Sequence, residues 1–180
     1  MIRLLRWLLL VAFLAAGIHV GAVSMLPNVI MARVMDKIDP AAKGNIRFGE
    51  RPTAEARGIV RPSPDLLYST CIYDVSKTAY RVVTATPTDT YWSVAFYADN
   101  TDNFYVLNDR QAAGKPTTIM LIGKGQTIPP QPEGTIVISA PSERGLVLFR
   151  TLINDDARLA EIDGQRRQAK CEQLLPSDMK

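Results

Sequence analysis

The sequence predicts a mainly β fold, a sandwich or partly closed barrel with a C-terminal helix, preceded by one transmembrane helix. Three observations carry that expectation. A long uncharged apolar run lies near the N-terminus, short segments rich in β-branched and aromatic residues recur between Pro, Gly, Asp and Asn, and one stretch of helical character follows Asn154. At 180 residues the chain has room for one core and an anchor. The natural division is a membrane anchor at 1–35, a connector at 36–57 and a compact β-rich domain at 58–176.

The anchor comes first. From Trp7 to Leu26 the only titratable side chain is His19. About 20 residues rising 1.5 Å each cover a hydrocarbon core roughly 30 Å thick, and an α-helix satisfies its own backbone groups there. A cleaved signal peptide is the alternative, because Arg3 and Arg6 form a basic start and Gly21, Ala22 and Ser24 are small enough for a cleavage site. The retained anchor is favoured because apolar residues continue through Ile30, Met31 and Val34, with Pro27 expected to kink or end the helix. Gly17 and Gly21 offer a small-residue surface for helix packing, and the imidazole of His19 seeks a hydrogen-bond partner in apolar surroundings. Arg3 and Arg6 favour a cytoplasmic N-terminus, although Arg33, Lys37 and Lys43 dilute the bias. The short tail and signal-like order then place the main domain in the periplasm of a bacterial inner-membrane, single-pass protein.

After a connector punctuated by Asp39, Pro40, Gly44, Gly49 and Pro52, strands are expected at 67–75, 80–84, 91–98, 103–107, 118–122, 135–139 and 146–151. In the third of these, period-two geometry sets Trp92, Val94 and Phe96 on a core face. Tyr91, Ser93, Ala95 and Tyr97 face the other way, toward either a ligand cavity or a second packed layer. Asp155 or Asp156 is suited to start the helix, whose apolar positions are Leu159, Ile162, Ala169 and Leu174 and which Gly164 weakens.

A net charge of +3 is too small and too dispersed for a nucleic-acid surface. Two cysteines and one histidine make a structural zinc site improbable, and neither a metal nor a cofactor is expected. Two readings stand for Cys71 and Cys171: a disulfide closing a loop of about 100 residues, or two unrelated thiols. The disulfide would tie the C-terminal helix to the first strong strand.

Candidate ligand-binding residues fall in two polar segments. Two prolines in Arg61-Pro62-Ser63-Pro64-Asp65-Leu66-Leu67-Tyr68-Ser69 restrict the chain, so Arg61, Asp65 and Tyr68 are displayed with little freedom. The same residues also suit turn hydrogen bonding and packing. Asp99 and Asn103 bracket an acidic and amide-rich stretch that lacks the length, Gly and Glu of a calcium loop and reads equally as a turn. Tyr91 completes the set, from the non-core side of its strand. Gly123-Lys124-Gly125 is too short to cradle phosphate and is not followed by Ser or Thr. Ser63, Ser69 and Ser93 have no histidine beside them except one inside the apolar run, which argues against a serine hydrolase.

These ordered segments resemble the bacterial family called domain of unknown function 1254. The 61–69 segment looks like its arginine-proline, aspartate and tyrosine signature, with Leu66 where Thr is common. Pro87-Thr88-Asp89-Thr90-Tyr91-Trp92 and Asp99-Asn100-Thr101-Asp102-Asn103-Phe104 resemble its aromatic strand and following polar segment, with Thr90 where Arg is common. Gly123-Lys124-Gly125, Arg150 and Gln165 follow in the family's order, so that the resemblance covers roughly residues 57–175. It implies no particular reaction, and it implies a companion domain, numbered 1214, that often lies beside this one. Two functions are therefore expected: a non-catalytic envelope protein whose periplasmic domain binds another protein or a second copy, or a small-molecule binder or enzyme using Arg61, Asp65 and Tyr68.

Overall fold

The computed structural model describes residues 1–39, 44–57, 61–87 and 89–175. The expected domain limits at Gly58 and Pro176, with Pro40, Lys43 and Thr88, lie outside the described residues. In chain order the elements are helix α1 (Ile2–Ile38), strands β1 (Arg47–Phe48), β2 (Leu66–Asp74), β3 (Tyr80–Val83), β4 (Trp92–Ala98) and β5 (Asn103–Asn108), and helix α2 (Asp109–Ala112). Strands β6 (Thr118–Ile122), β7 (Ile136–Ser139) and β8 (Arg144–Leu152), helix α3 (Leu159–Arg166) and strand β9 (Lys170–Gln173) complete the chain.

Every expected strand is present. They form two sheets, one ordered β1-β2-β8-β4-β5 and the other β7-β6-β3-β9. The first is antiparallel throughout, whereas β7 runs parallel to β6. Neither sheet closes into a barrel. Alternation along β2, β4 and β8 sends Cys71, Tyr73, Val94, Phe96, Val147 and Phe149 inward, where they meet Tyr80, Val82, Ile119 and Leu121 of the second sheet. Burial of these side chains from water is the main force holding sheet to sheet.

Cys71 and Cys171 are joined in a disulfide. Its mechanical role differs from the expected one, because Cys171 lies on β9 and not in the helix. The helix ends at Arg166, and the chain turns into an extended segment paired with β3. The bond therefore ties sheet to sheet. Gly164 sits inside α3 without dividing it, and Asp155 starts the preceding turn by accepting from the Ala157 N–H at 2.9 Å.

Helix α1 is 37 residues long and is the one described helix long and apolar enough to cross a membrane. It runs on past Pro27, where only one N–H is missing from the ladder, and its last turns are held by packing. Met31 and Met35 are buried against Ile72, with Ile38, Tyr97 and Leu146 around them. Most of the remainder is exposed, including Gly17 and His19, with Gly21, Pro27 and Val34 half-buried, while no neighbouring side chain lies over Gly17 or Gly21. Beyond the helix, Asp39 accepts from the Gly44 N–H at 2.8 Å, and the Tyr80 hydroxyl donates to the Gly44 carbonyl. Gly44 has φ +67° with the Tyr80 ring close by, a place for glycine on both counts.

Candidate functional site: a groove between helix α1 and the outer sheet face

In the five-stranded sheet, the pairing register fixes which side chains share the face away from the core. Tyr68 of β2, Arg150 of β8 and Ser93 of β4 are partners in one row, and Thr70, Leu148 and Ala95 form the next. Ile72, Leu146 and Tyr97 make the third row, on which the end of α1 rests. From Leu146 to Arg150 the strand advances four residues, about 13 Å. Between the helix end and this face lies a groove of about 760 Å³. That volume is in the range of small-molecule sites, about 300–1,000 Å³.

Leu146 and Leu148 form the floor, Val34 and Ile38 one wall, and Pro52 and Pro62 another. Lys37, Arg61 and Arg150 line the same space, and Glu50 is the one carboxylate residue in its lining. Arg51 also lines it but is already engaged, donating to the Pro64 carbonyl at 2.9 Å and to Asp156 at 2.7 Å. Among the described residues, no carboxylate lies within ion-pair distance of Lys37, Arg61 or Arg150. Among the described residues Arg150 Nη2 donates to the Tyr97 hydroxyl alone, at a long 3.4 Å. Arg150 Nε and its row neighbour Ser93 Oγ are buried with no hydrogen-bond partner among the described residues. Native interiors rarely leave such groups unpaired, and leaving one so costs on the order of 1–3 kcal/mol.

The walls are fixed from outside. Arg166 of α3 is buried at 4% exposure and donates to Gly49 O at 2.6 Å, Ser69 Oγ at 2.7 Å and Tyr68 O at 3.1 Å. Its guanidinium stands 5.5 Å from the Phe48 ring centroid, with Arg167 at 5.2 Å from the same ring. Tyr68 in turn accepts from the Ser63 N–H at 3.0 Å, which holds the start of the 61–69 segment over the groove.

Of the six expected ligand residues, Arg61 and Tyr68 come together here. Asp65 does not line the groove: its carbonyl accepts from the Ile153 N–H at 2.8 Å. Tyr91, likewise outside it, lies just before β4 with its carbonyl accepting from Leu152 N–H at 2.9 Å. Asp99 follows the Ala98 end of β4 and Asn103 opens β5 opposite Tyr97, in register with the Leu146 row, and neither lines the groove. They border a separate hollow of about 430 Å³. Its polar groups are largely spent on the hairpin turn, with Asn100 Nδ2 donating to Asp102 at 2.7 Å and Asn103 Nδ2 donating to Phe96 O at 3.1 Å. Among the described residues no group of three His, Cys, Asp or Glu is placed to hold a metal ion. Arg150 was visible in sequence only as a family feature. Its signal as a site residue is the alternation Leu146, Leu148, Arg150, which puts a cation on an otherwise apolar strand face.

These features define a two-sheet β domain with an apolar N-terminal helix docked at the mouth of a cationic groove. The family model described as "Protein of unknown function (DUF1254)" matches residues 45–173, and the chain belongs to that family. Its fold is similar to that of the VPA0106 protein from Vibrio parahaemolyticus, with a TM-score of 0.65 at 12% identity over 84% of this chain and 36% of the other. An uncharacterized protein from Burkholderia cenocepacia gives a TM-score of 0.50 at 19% identity over 89% of this chain and 42% of the other. The chain thus spans less than half the length of either solved relative. No curated protein matches it.

Proposed function

We propose that this is a membrane-tethered, non-catalytic binding protein whose β domain, on the periplasmic side, holds a small anionic molecule in the groove over β8. The observation that carries this reading is Arg150, which lines the groove beside an apolar floor and whose buried Nε has no hydrogen-bond partner among the described residues. Arg150 and Arg61 supply charge for an anion, Tyr68 and Tyr97 supply hydroxyls, and Leu146 and Leu148 take its apolar part. The disulfide favours an oxidising compartment, and α1 supplies the tether. Native mass spectrometry of the full chain released from its membrane tests the reading. A small molecule is expected to travel with the wild type and to be lost from Arg150→Gln. Equal occupancy in both, or none in either, overturns it.

A partner protein is the second reading, favoured by one observation. Gly17 and Gly21 lie four residues apart on α1 with no neighbouring atom within 4 Å of an added Cβ, so a second chain or a second copy can approach there. The Gly17–Gly21 surface on α1 is a place for such a copy to pack. Crosslinking in intact membranes distinguishes them: a reproducible partner or dimer supports this reading, and a monomer throughout removes it.

A further inference from the structure

The groove and the apolar helix are one continuous feature, because Val34 and Ile38, in the last turns of α1, form a wall of the groove. Residues 7–32 carry no Asp, Glu, Lys or Arg, a run about 39 Å long as a helix against a hydrocarbon core roughly 30 Å thick. About 9 Å of uncharged helix is therefore left over, so that Val34 stands at the level of the lipid headgroups. Val29 and Ile30 remain exposed just before Met31 docks on the sheet. The groove thus meets the bilayer at the layer where anionic headgroups lie. Its content suits them: an apolar floor of Leu146 and Leu148, Arg150 two residues beyond Leu148 on the same strand face, and Arg61 and Lys37 on the walls.

We propose that the occupant of the groove is an anionic phospholipid of the leaflet in which α1 ends, its phosphate held by Arg150 and Arg61 and one acyl chain laid along Leu146, Leu148, Val34 and Ile38. This deepens the binding reading above and rests on it. A guanidinium recognises a phosphate through paired N–H donors, and Arg150 offers a buried Nε with no partner among the described residues. A wholly water-soluble anion has no use for the apolar floor. A neutral lipid has no use for three cations that have no carboxylate partner among the described residues.

Photocrosslinking tests the assignment. The full chain, with a photoreactive residue replacing Leu148, is reconstituted in phosphatidylcholine vesicles with and without a minor share of phosphatidylglycerol, and the adducts are read by mass spectrometry. Phosphatidylglycerol is expected to be enriched several-fold over its share of the bilayer, and Arg150→Gln to cut that enrichment about tenfold, the loss of one charge-assisted pair. Arg61→Gln, at an exposed position, is expected to reduce it less, which guards against a folding defect in the buried variant. Far-UV circular dichroism and the intact disulfide check both variants. Adducts matching the bulk lipid composition, or no lipid adduct at all, overturn the assignment. Displacement of the adduct by inorganic phosphate alone also overturns the lipid while leaving the binding groove standing. Failure of the groove itself appears separately, as native mass spectra without any Arg150-dependent ligand.

Discussion

Tyr68 of β2 and Arg150 of β8 are register partners on the outer face of the five-stranded sheet, and the 61–69 segment is pinned above them by the Ser63 N–H donating to the Tyr68 hydroxyl at 3.0 Å. One strand pairing thereby joins the polar signature of the sequence to a cation 82 residues further along. The stability of that face depends on groups that do not themselves line the groove, and four consequences are testable.

Arg166 fastens β1, β2 and α3 together through Gly49 O, Ser69 Oγ and Tyr68 O. Arg166→Ala removes the donor to Gly49 O and Ser69 Oγ, while Tyr68 O keeps the Gly49 N–H, and is expected to cost about 2–4 kcal/mol. Urea unfolding of the full chain in detergent measures it, and a loss under about 0.5 kcal/mol contradicts the role.

Asp163 gives the same clamp a pH dependence. Burial by itself raises its carboxyl, but the hydrogen bond from Arg167 and the charge and hydrogen bond of Arg166 outweigh it, so the pKa lies below the ordinary 3.8. A depressed carboxylate contributes stability that is present above the unfolded value and is lost as pH falls through the folded one. The melting temperature is therefore expected to drop more steeply below pH ~4 in wild type than in Asp163→Asn. Parallel curves for the two proteins contradict this.

The disulfide joins Cys71 of β2 to Cys171 of β9 across 100 residues. Replacing either cysteine by serine is expected to cost about 2–5 kcal/mol. It frees the last strand first, so trypsin should cut at the exposed Arg167 or Lys170 before it cuts the rest of the domain. Initial cleavage elsewhere counts against the sheet-to-sheet staple.

Two backbone positions predict opposite signs. A methyl at Gly145 meets the Tyr97 carbonyl and the Tyr73 hydroxyl, which burial keeps protonated by pushing its pKa up to about 12. Gly145→Ala is expected to destabilise by about 1–3 kcal/mol through overpacking. Thr101, β-branched at φ 73°, sits in the hairpin between β4 and β5. Thr101→Gly is expected to stabilise by about 0.5–1 kcal/mol, and thermal unfolding of the pair reads both.

The sheet was legible in the sequence wherever residues alternate. Trp92, Val94 and Phe96 are buried in the core as their period-two spacing requires. Strand β9 was not legible, because Lys170-Cys171-Glu172-Gln173 is polar and follows a helix with no breaker between them. It is extended because β3 offers a free edge and Cys171 reaches Cys71. Strand β1 escaped for a similar reason: Arg47 and Phe48 are only two residues, held by pairing with Thr70 and Ser69. Half of the groove was legible. Arg61 and Tyr68 are local to one motif, whereas Arg150, Leu148 and Val34 reach them only through sheet pairing and helix docking.

The central claim is that Arg150 holds a ligand in the groove, and the most direct measurement is an experimental structure of the full chain taken from its membrane without delipidation, at a resolution that shows ordered water. Density for a non-protein anion within hydrogen-bond distance of the Arg150 guanidinium, continuing over Leu148 toward Val34, is the expected result. Density for water alone on Arg150, or a carboxylate side chain closing onto it, would contradict it.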